Sequence, residues 1–290
     1  VRPGAAAAAD RVWVALEDAG RTALVDVGGR RVVARYRTPG GPHNLTVARD
    51  GTVAVALWGS GWIALIRDGR VRSVRLGGAP HDVKAVGRLV VVANQGDARV
   101  DRVRLDGRVF PSIPLRADPH DLAIAPGGRR AWVTLEGSDE LAVVALDDAR
   151  VLRYVPTGRA PHDLLFAPDG RLWVTDWGGA LHVFDGARLV RTLPLGVEAH
   201  HLAFTPDGRE AWITDHGAGR IYVLSVRPVR VLRSLPFPGE PHHVAITPDG
   251  RWAAVADHAH GRLVVFSVRR HRRVAVIPVG AGPHGVWAAG

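Results

Sequence analysis

Short apolar runs alternate with clusters of Gly, Pro and Asp along the chain, the pattern of strands joined by tight turns. The clearest unit begins at His162. Residues 162–167 predict a strand, Pro168-Asp169-Gly170 a turn, and residues 171–176 a second strand. Trp177-Gly178-Gly179 then turns the chain into a third strand at 180–184. Asp185-Gly186 turns it again into an outer strand at 188–195. The same turn recurs at Pro206-Asp207-Gly208 and Pro248-Asp249-Gly250, and no stretch shows helical periodicity of useful length. The chain reads as all-β.

One dipeptide aligns the whole sequence: Pro42-His43, Pro80-His81, Pro119-His120, Pro161-His162, Ala199-His200, Pro241-His242 and Pro283-His284. Successive histidines are 38, 39, 42, 38, 42 and 42 residues apart, the period of a four-stranded propeller blade. After His284 one strand remains, at 285–289, while three precede the first Pro-His, at 12–16, 23–27 and 31–37. Together they make a complete blade. The expectation is a seven-bladed β-propeller of four-stranded blades, one domain over 1–290. Its ring closes by pairing residues 10–39 with 283–290, behind a flexible segment at 1–9.

Composition narrows the chemistry. With no Cys and no Met, disulfides, thiolate metal sites, iron–sulfur clusters and cysteine nucleophiles are excluded. Any metal must use His, Asp or Glu, which disfavours Cu(I) and leaves Cu(II), Zn(II) or Ni(II). The charge of +10 is almost all Arg, because Lys84 is the sole lysine. Arg31, Arg35, Arg70, Arg72, Arg150, Arg188, Arg230 and Arg272 are among many that fall in outer strands, where charge prevents edge-to-edge pairing. A polyanion-binding girdle is the other reading. Nucleic acid is not the favoured partner, because Trp13, Trp132, Trp173 and Trp212 occupy equivalent second-strand positions suited to packing between blades rather than to stacking bases. No apolar run approaches the roughly 18 residues of a membrane helix, so no membrane insertion is expected. Amides are confined to Asn44, Asn94 and Gln95, a composition that suits a thermophile or a GC-rich genome. The opening Val1-Arg2-Pro3-Gly4 and Ala5 to Ala9 resemble the region after a removed export signal. An exported monomer, periplasmic or extracellular, is the expectation.

The stretch His162-Asp163-Leu164 through Pro168-Asp169-Gly170-Arg171-Leu172-Trp173-Val174-Thr175-Asp176 resembles the YVTN-type β-propeller repeat, and the resemblance covers the whole chain. More distantly the chain is similar to streptogramin lyases and to the propeller of nitrous-oxide reductase, whose histidine ring holds a copper cluster. The lyase signature Trp-Phe-Thr-Glu is absent. That resemblance implies a catalytic base in a Pro-His loop, a place that His242 and His284 occupy here.

In such a fold the loops leading into the innermost strands share a face with those joining second and third strands. One face then gathers His43, His81, His120, His162, His200, His242 and His284. Behind them come Asn44, Asp82, Asp121, Asp163, His201, His243 and Gly285, and the neighbouring loops add Glu17, Gln95, Glu136, Asp176, Asp215, His216, Asp257, His258 and His260. Neutral imidazole is a common ligand for divalent transition metals. The metal candidates are therefore His43, His81, His120, His162, His200, His201, His216, His242, His243, His258 and His284, densest in the blades of His200 and His242. There Asp215-His216 and Asp257-His258 are expected to present carboxylate and imidazole at one radius. Histidines that merely cap the core are the competing reading, since His162, Leu164 and Phe166 alternate. A metal-free pocket is a third.

Three functions follow. One is a metal-dependent lyase or hydrolase acting on a small molecule at the channel mouth, with His242, His284 and Glu136 as candidate catalytic bases. The others are a non-catalytic metal-holding protein and a scaffold for protein, peptide or single-stranded DNA.

Overall fold

The computed structural model describes residues 10–289, so the expectation for 1–9 lies outside the described residues. Seven four-stranded antiparallel sheets form a ring. Blade 1 runs outward from Pro283–Ala288 through Arg11–Leu16 and Arg21–Asp26 to Arg31–Arg37. Val12 pairs with Ala288, Trp13 with Trp287 and Val14 with Val286, so the two ends of the chain close the ring as expected. The innermost strands of blades 2 to 7 are Pro42–Val47, Pro80–Val86, Pro119–Ile124, Pro161–Phe166, Ala199–Phe204 and Pro241–Ile246. Observed strands end within a residue or two of the expected ones. Blade 3 departs most, since its outer strand is only Ile113–Pro114 and carries no arginine.

The core lies between blades. Trp132 packs with Leu172 and Phe184 of the next blade, Trp173 with Ile213, and Trp212 with Val255 and Phe266. Trp13 packs against the cluster that holds Val53 and Val55. Each large apolar side chain buried this way contributes about 1.5–3 kcal/mol, which makes the seven blade-to-blade seams the main cohesive element.

A β-bulge sits at the start of every innermost strand, and it corrects the expected alternation. In blade 5, Pro161 pairs with Asp176 but the next pair is Leu164 with Val174, one residue too many on the inner side. The same break follows Pro42, Pro80, Pro119, Ala199 and Pro241, and precedes Val286 in blade 1. The bulge takes the histidine off the face that Leu164 uses to pack between blades. The backbone N–H it frees is taken up locally: Asp121, Asp163 and His201 donate to the hydroxyls of Thr134, Thr175 and Thr214 at 2.9, 3.2 and 3.0 Å. Thr134 also donates to the carbonyl of His162 at 2.9 Å, tying the bulge to the following blade.

Candidate metal centre

The bulge turns all seven repeat histidines into the channel, where they meet as a closed ring. Consecutive imidazole centroids stand 4.1 Å apart for His43–His81, 3.9 for His81–His120, 4.2 for His120–His162 and 4.0 for His162–His200. The circuit closes through His200–His242 at 4.6 Å, His242–His284 at 4.2 Å and His284–His43 at 3.6 Å. The histidines therefore pack on one another and not on the apolar seams.

Their chemistry is that of free lone pairs. Nδ1 of His43, His120, His200, His242 and His284, and both nitrogens of His162, are buried without a hydrogen-bond partner among the described residues. His81 is the exception, its Nδ1 lying 3.0 Å from the carbonyl oxygen of His120. Burial is the main cause that pushes these imidazoles below their ordinary pKa, reinforced for most by their neighbours' charge. His81 is lowered too, and His242 goes down to about 3. The ring is neutral at pH 7. Unpartnered polar atoms in a protein interior are rare and costly, and neutral imidazole nitrogens are the donor form that a divalent transition metal needs. The donor set fits such an ion.

Above the ring the loops supply carboxylates. Nε2 of His216 is 2.5 Å from Oε1 of Glu240, and its Nδ1 faces Oε2 of Glu198 at 3.6 Å. His258 faces Glu17 at 3.9 Å, and His120 faces Glu136 at 3.9 Å. Burial raises the Glu17 carboxyl above its usual pKa. Several clusters bring ligand atoms close enough to share one ion, among them His200, His216 and His242; Glu17, His43 and His284; His120, Glu136 and His162; His162, His200 and His201; and His81, His120 and Asp121. Glu136 thus joins the His120–His162 sector, whereas His242 and His284 adjoin each other, so the three candidate bases do not form one constellation.

Two expectations are corrected here. Asp215 and Asp257 do not sit beside their neighbouring histidines at the channel. Both are fully buried, and Asp215 accepts backbone N–H groups of Val197, Glu198 and Ala218 at 3.0–3.1 Å. Asp257 accepts from the Glu240 N–H at 3.2 Å and from Arg262 at 2.7 Å, and its Oδ1 lies 2.8 Å from Nδ1 of His260. These carboxylates shape the loops, and the loop acids that face His120, His216 and His258 are Glu136, Glu198, Glu240 and Glu17. His260 is likewise spent on Asp257. His182 and His271 lie elsewhere, against Asp176 and Glu210.

Beneath the ring the residues that follow each histidine make a second layer. Asn44, Asp82, Asp121, Asp163, His201 and His243 come from the bulge, and His201 stacks on His243 with centroids 3.5 Å apart. His201 and His243, both metal candidates by sequence, therefore lie beneath the ring, behind the repeat histidines as expected. Gly285 takes this place in blade 1, because a Cβ there would lie 2.4 Å from the His43 carbonyl oxygen. Lys84 closes the layer, its Nζ 2.6 and 2.5 Å from the two oxygens of Asp82 and 5.3 Å from the Trp287 ring centre.

Comparison with known proteins agrees with this architecture. No curated protein matches the chain by sequence. Among solved structures it is similar to hydrazine synthase of Kuenenia stuttgartiensis, with a TM-score of 0.80 and 18% identity over 89% of this chain and 92% of that one. Virginiamycin B lyase of Staphylococcus aureus gives 0.76 and 15% over 85% and 88%. A functionally unknown protein from Desulfotomaculum acetoxidans gives 0.86 and 12% over 96% and 98%. At these identities the likeness is one of fold. Among the described residues no helix is long and apolar enough to cross a membrane. The chain is a seven-bladed β-propeller whose residues 182–290 match the YNCE-like β-propeller family.

Proposed function

We propose that the channel mouth binds a divalent transition metal, through His200, His216 and His242, and serves lyase or hydrolase chemistry on a small molecule. The observation that carries this reading is the set of buried, neutral, unpartnered imidazole nitrogens around the ring. Of the clusters named above, His200–His216–His242 is the most solvent-open, since His216 and His242 are only partly buried. Three histidines beside an open position suit a catalytic site more than a closed structural one.

The bound ion would supply Lewis acidity toward a substrate oxygen. The remaining roles fall to the chain itself. Glu240 fixes the orientation of His216 by holding Nε2, which leaves Nδ1 as the ligand atom, the carboxylate–histidine arrangement that tunes many metal sites. Glu17 is suited to carry a proton at Oε2, because its raised pKa lies closer to neutrality than that of an ordinary carboxylate. His242 and His284 are better ligands than bases, since burial makes their imidazoles reluctant to accept a proton. Trp58 and Trp177 flank the ring, 6.1 Å from His43 and 4.5 Å from His162, and Trp58 is 42% exposed. They offer an apolar wall to a substrate.

The test is elemental analysis of untagged protein and of a His216→Ala variant. A stoichiometric transition metal that falls in the variant supports the reading. Protein that takes up no copper, zinc or nickel contradicts it and favours a scaffold with structural histidines.

A further inference from the structure

We propose a second metal site on the channel axis, beneath the ring, in which Asp121, Asp163 and His201 bind a divalent cation such as Zn(II). It uses none of the ligands assigned to the mouth.

The three residues come from blades 4, 5 and 6, and the bulge turns all of them inward. Two carboxylates of this layer have structural duties. Asp82 accepts the Leu122 N–H at 3.0 Å, and Asp163 accepts those of Leu164 at 2.7 Å and Leu202 at 3.0 Å, each clipping its blade to another inner strand. Asp121 differs in taking no backbone N–H. Its Oδ1 accepts from Nδ2 of Asn44 at 3.1 Å and lies 3.4 and 3.7 Å from Nδ1 of His81 and His120, and its Oδ2 is buried without a partner. His201, 1% exposed, has no partner at either ring nitrogen.

These groups converge. Nδ1 of His201 stands 3.3 Å from Oδ2 of Asp163 and 3.7 Å from Oδ2 of Asp121. The spacing is long for a hydrogen bond between imidazole and carboxylate. Zinc–nitrogen and zinc–oxygen bonds of about 2.0–2.2 Å place tetrahedral neighbours roughly 3.3–3.6 Å apart, a range that holds the Asp163 distance and lies just below the Asp121 one.

Charge points the same way. Lys84 is held by Asp82, so three buried carboxylates face one ammonium. Asp121 and Asp163 have no cation of their own among the described residues, and once ionised the pair would match a divalent ion. A carboxylate-rich set with one imidazole favours Zn(II) or Mn(II) over Cu(I).

The experiment counts zinc per chain in untagged, chelator-stripped protein after Zn(II) loading and desalting. Two zinc ions are expected in the wild type, one in Asp121→Asn and one in His216→Ala. Asp121→Asn keeps the shape of the side chain and removes a buried charge, so its metal-free melting temperature should not fall below that of the wild type. If it does not fold, His201→Gln replaces it with the same expectation. An Asp121→Asn protein that still holds two zinc ions overturns the axial site. So does a wild type holding one zinc that His216→Ala loses and Asp121→Asn keeps, which leaves the mouth site standing. One zinc lost in Asp121→Asn and kept in His216→Ala upholds the axial site and overturns the mouth.

Discussion

His43 and His284 stand 3.6 Å apart, ring centre to ring centre, although almost the whole chain separates them. Their contact exists only because Pro283–Ala288 pairs with Arg11–Leu16 and brings the last repeat against the first. The histidine ring is therefore a reporter of ring closure. Loss of the terminal strand should abolish it along with the fold.

Acid should destabilise the metal-free protein. Nine channel imidazoles, those of His43, His81, His120, His162, His200, His201, His242, His243 and His284, are lowered chiefly by burial. A group whose folded pKa lies below its unfolded value binds protons more readily when unfolded. Its contribution is fully present above about pH 6.5 and is lost as pH falls toward the folded value. For His242, displaced to about 3, the loss is on the order of 4 kcal/mol by pH 3. Asp121 and Asp163, with raised values, act in the opposite sense but are fewer. Melting temperature measured from pH 8 to pH 4 should drop steeply below pH 6.5, and a flat profile would count against a buried neutral ring.

Gly285→Ala should disrupt closure. The added methyl would lie 2.4 Å from the His43 carbonyl oxygen and 3.0 Å from the Asn44 Cα, both backbone atoms that cannot swing aside. A cost of about 2 kcal/mol or more is expected. Chemical denaturation would show a lower midpoint, and an unchanged midpoint would mean the two inner strands are not so close.

Thr134→Val tests the bulge. The hydroxyl accepts the Asp121 N–H and donates to the His162 carbonyl, all of it buried. Its removal leaves a buried donor unpaired at a cost of about 1–3 kcal/mol. Urea unfolding should report this as a lower midpoint at constant slope.

Glu240→Gln separates metal tuning from folding. The Glu240 side chain is part-exposed and its carboxylate holds His216. Metal affinity should fall roughly 10- to 100-fold, with little change in the stability of the metal-free protein. Competition with a chromophoric chelator measures the first and thermal melting the second.

Much of the fold was legible because the Pro-His step marks each blade and the turn triplets mark its strands. The three-plus-one strand count at the termini implies the closure that the pairing of Trp13 with Trp287 makes. The bulge was not legible: Pro161-His162-Asp163-Leu164 reads as simple alternation, and only the paired strand shows an extra residue. That one residue decides whether His162 faces the seam or the channel. The roles of Asp215 and Asp257 were hidden for a related reason. Adjacent sequence suggested adjacent chemistry with His216 and His258, but a side chain at a strand end can turn back under the neighbouring loop, and both do. Glu198 and Glu240 could be noticed in sequence only as nearby acids. Asp121 differs from Asp82 and Asp163 by what its carboxylate fails to contact, which no sequence displays.

The most direct measurement is X-ray diffraction from crystals of untagged, metal-loaded protein at wavelengths on either side of the metal absorption edge. The account predicts an anomalous peak at the channel mouth within about 2.0–2.3 Å of imidazole nitrogens of His200, His216 and His242. Loaded crystals with no anomalous peak inside the channel, and imidazoles bridged only by water, would contradict it.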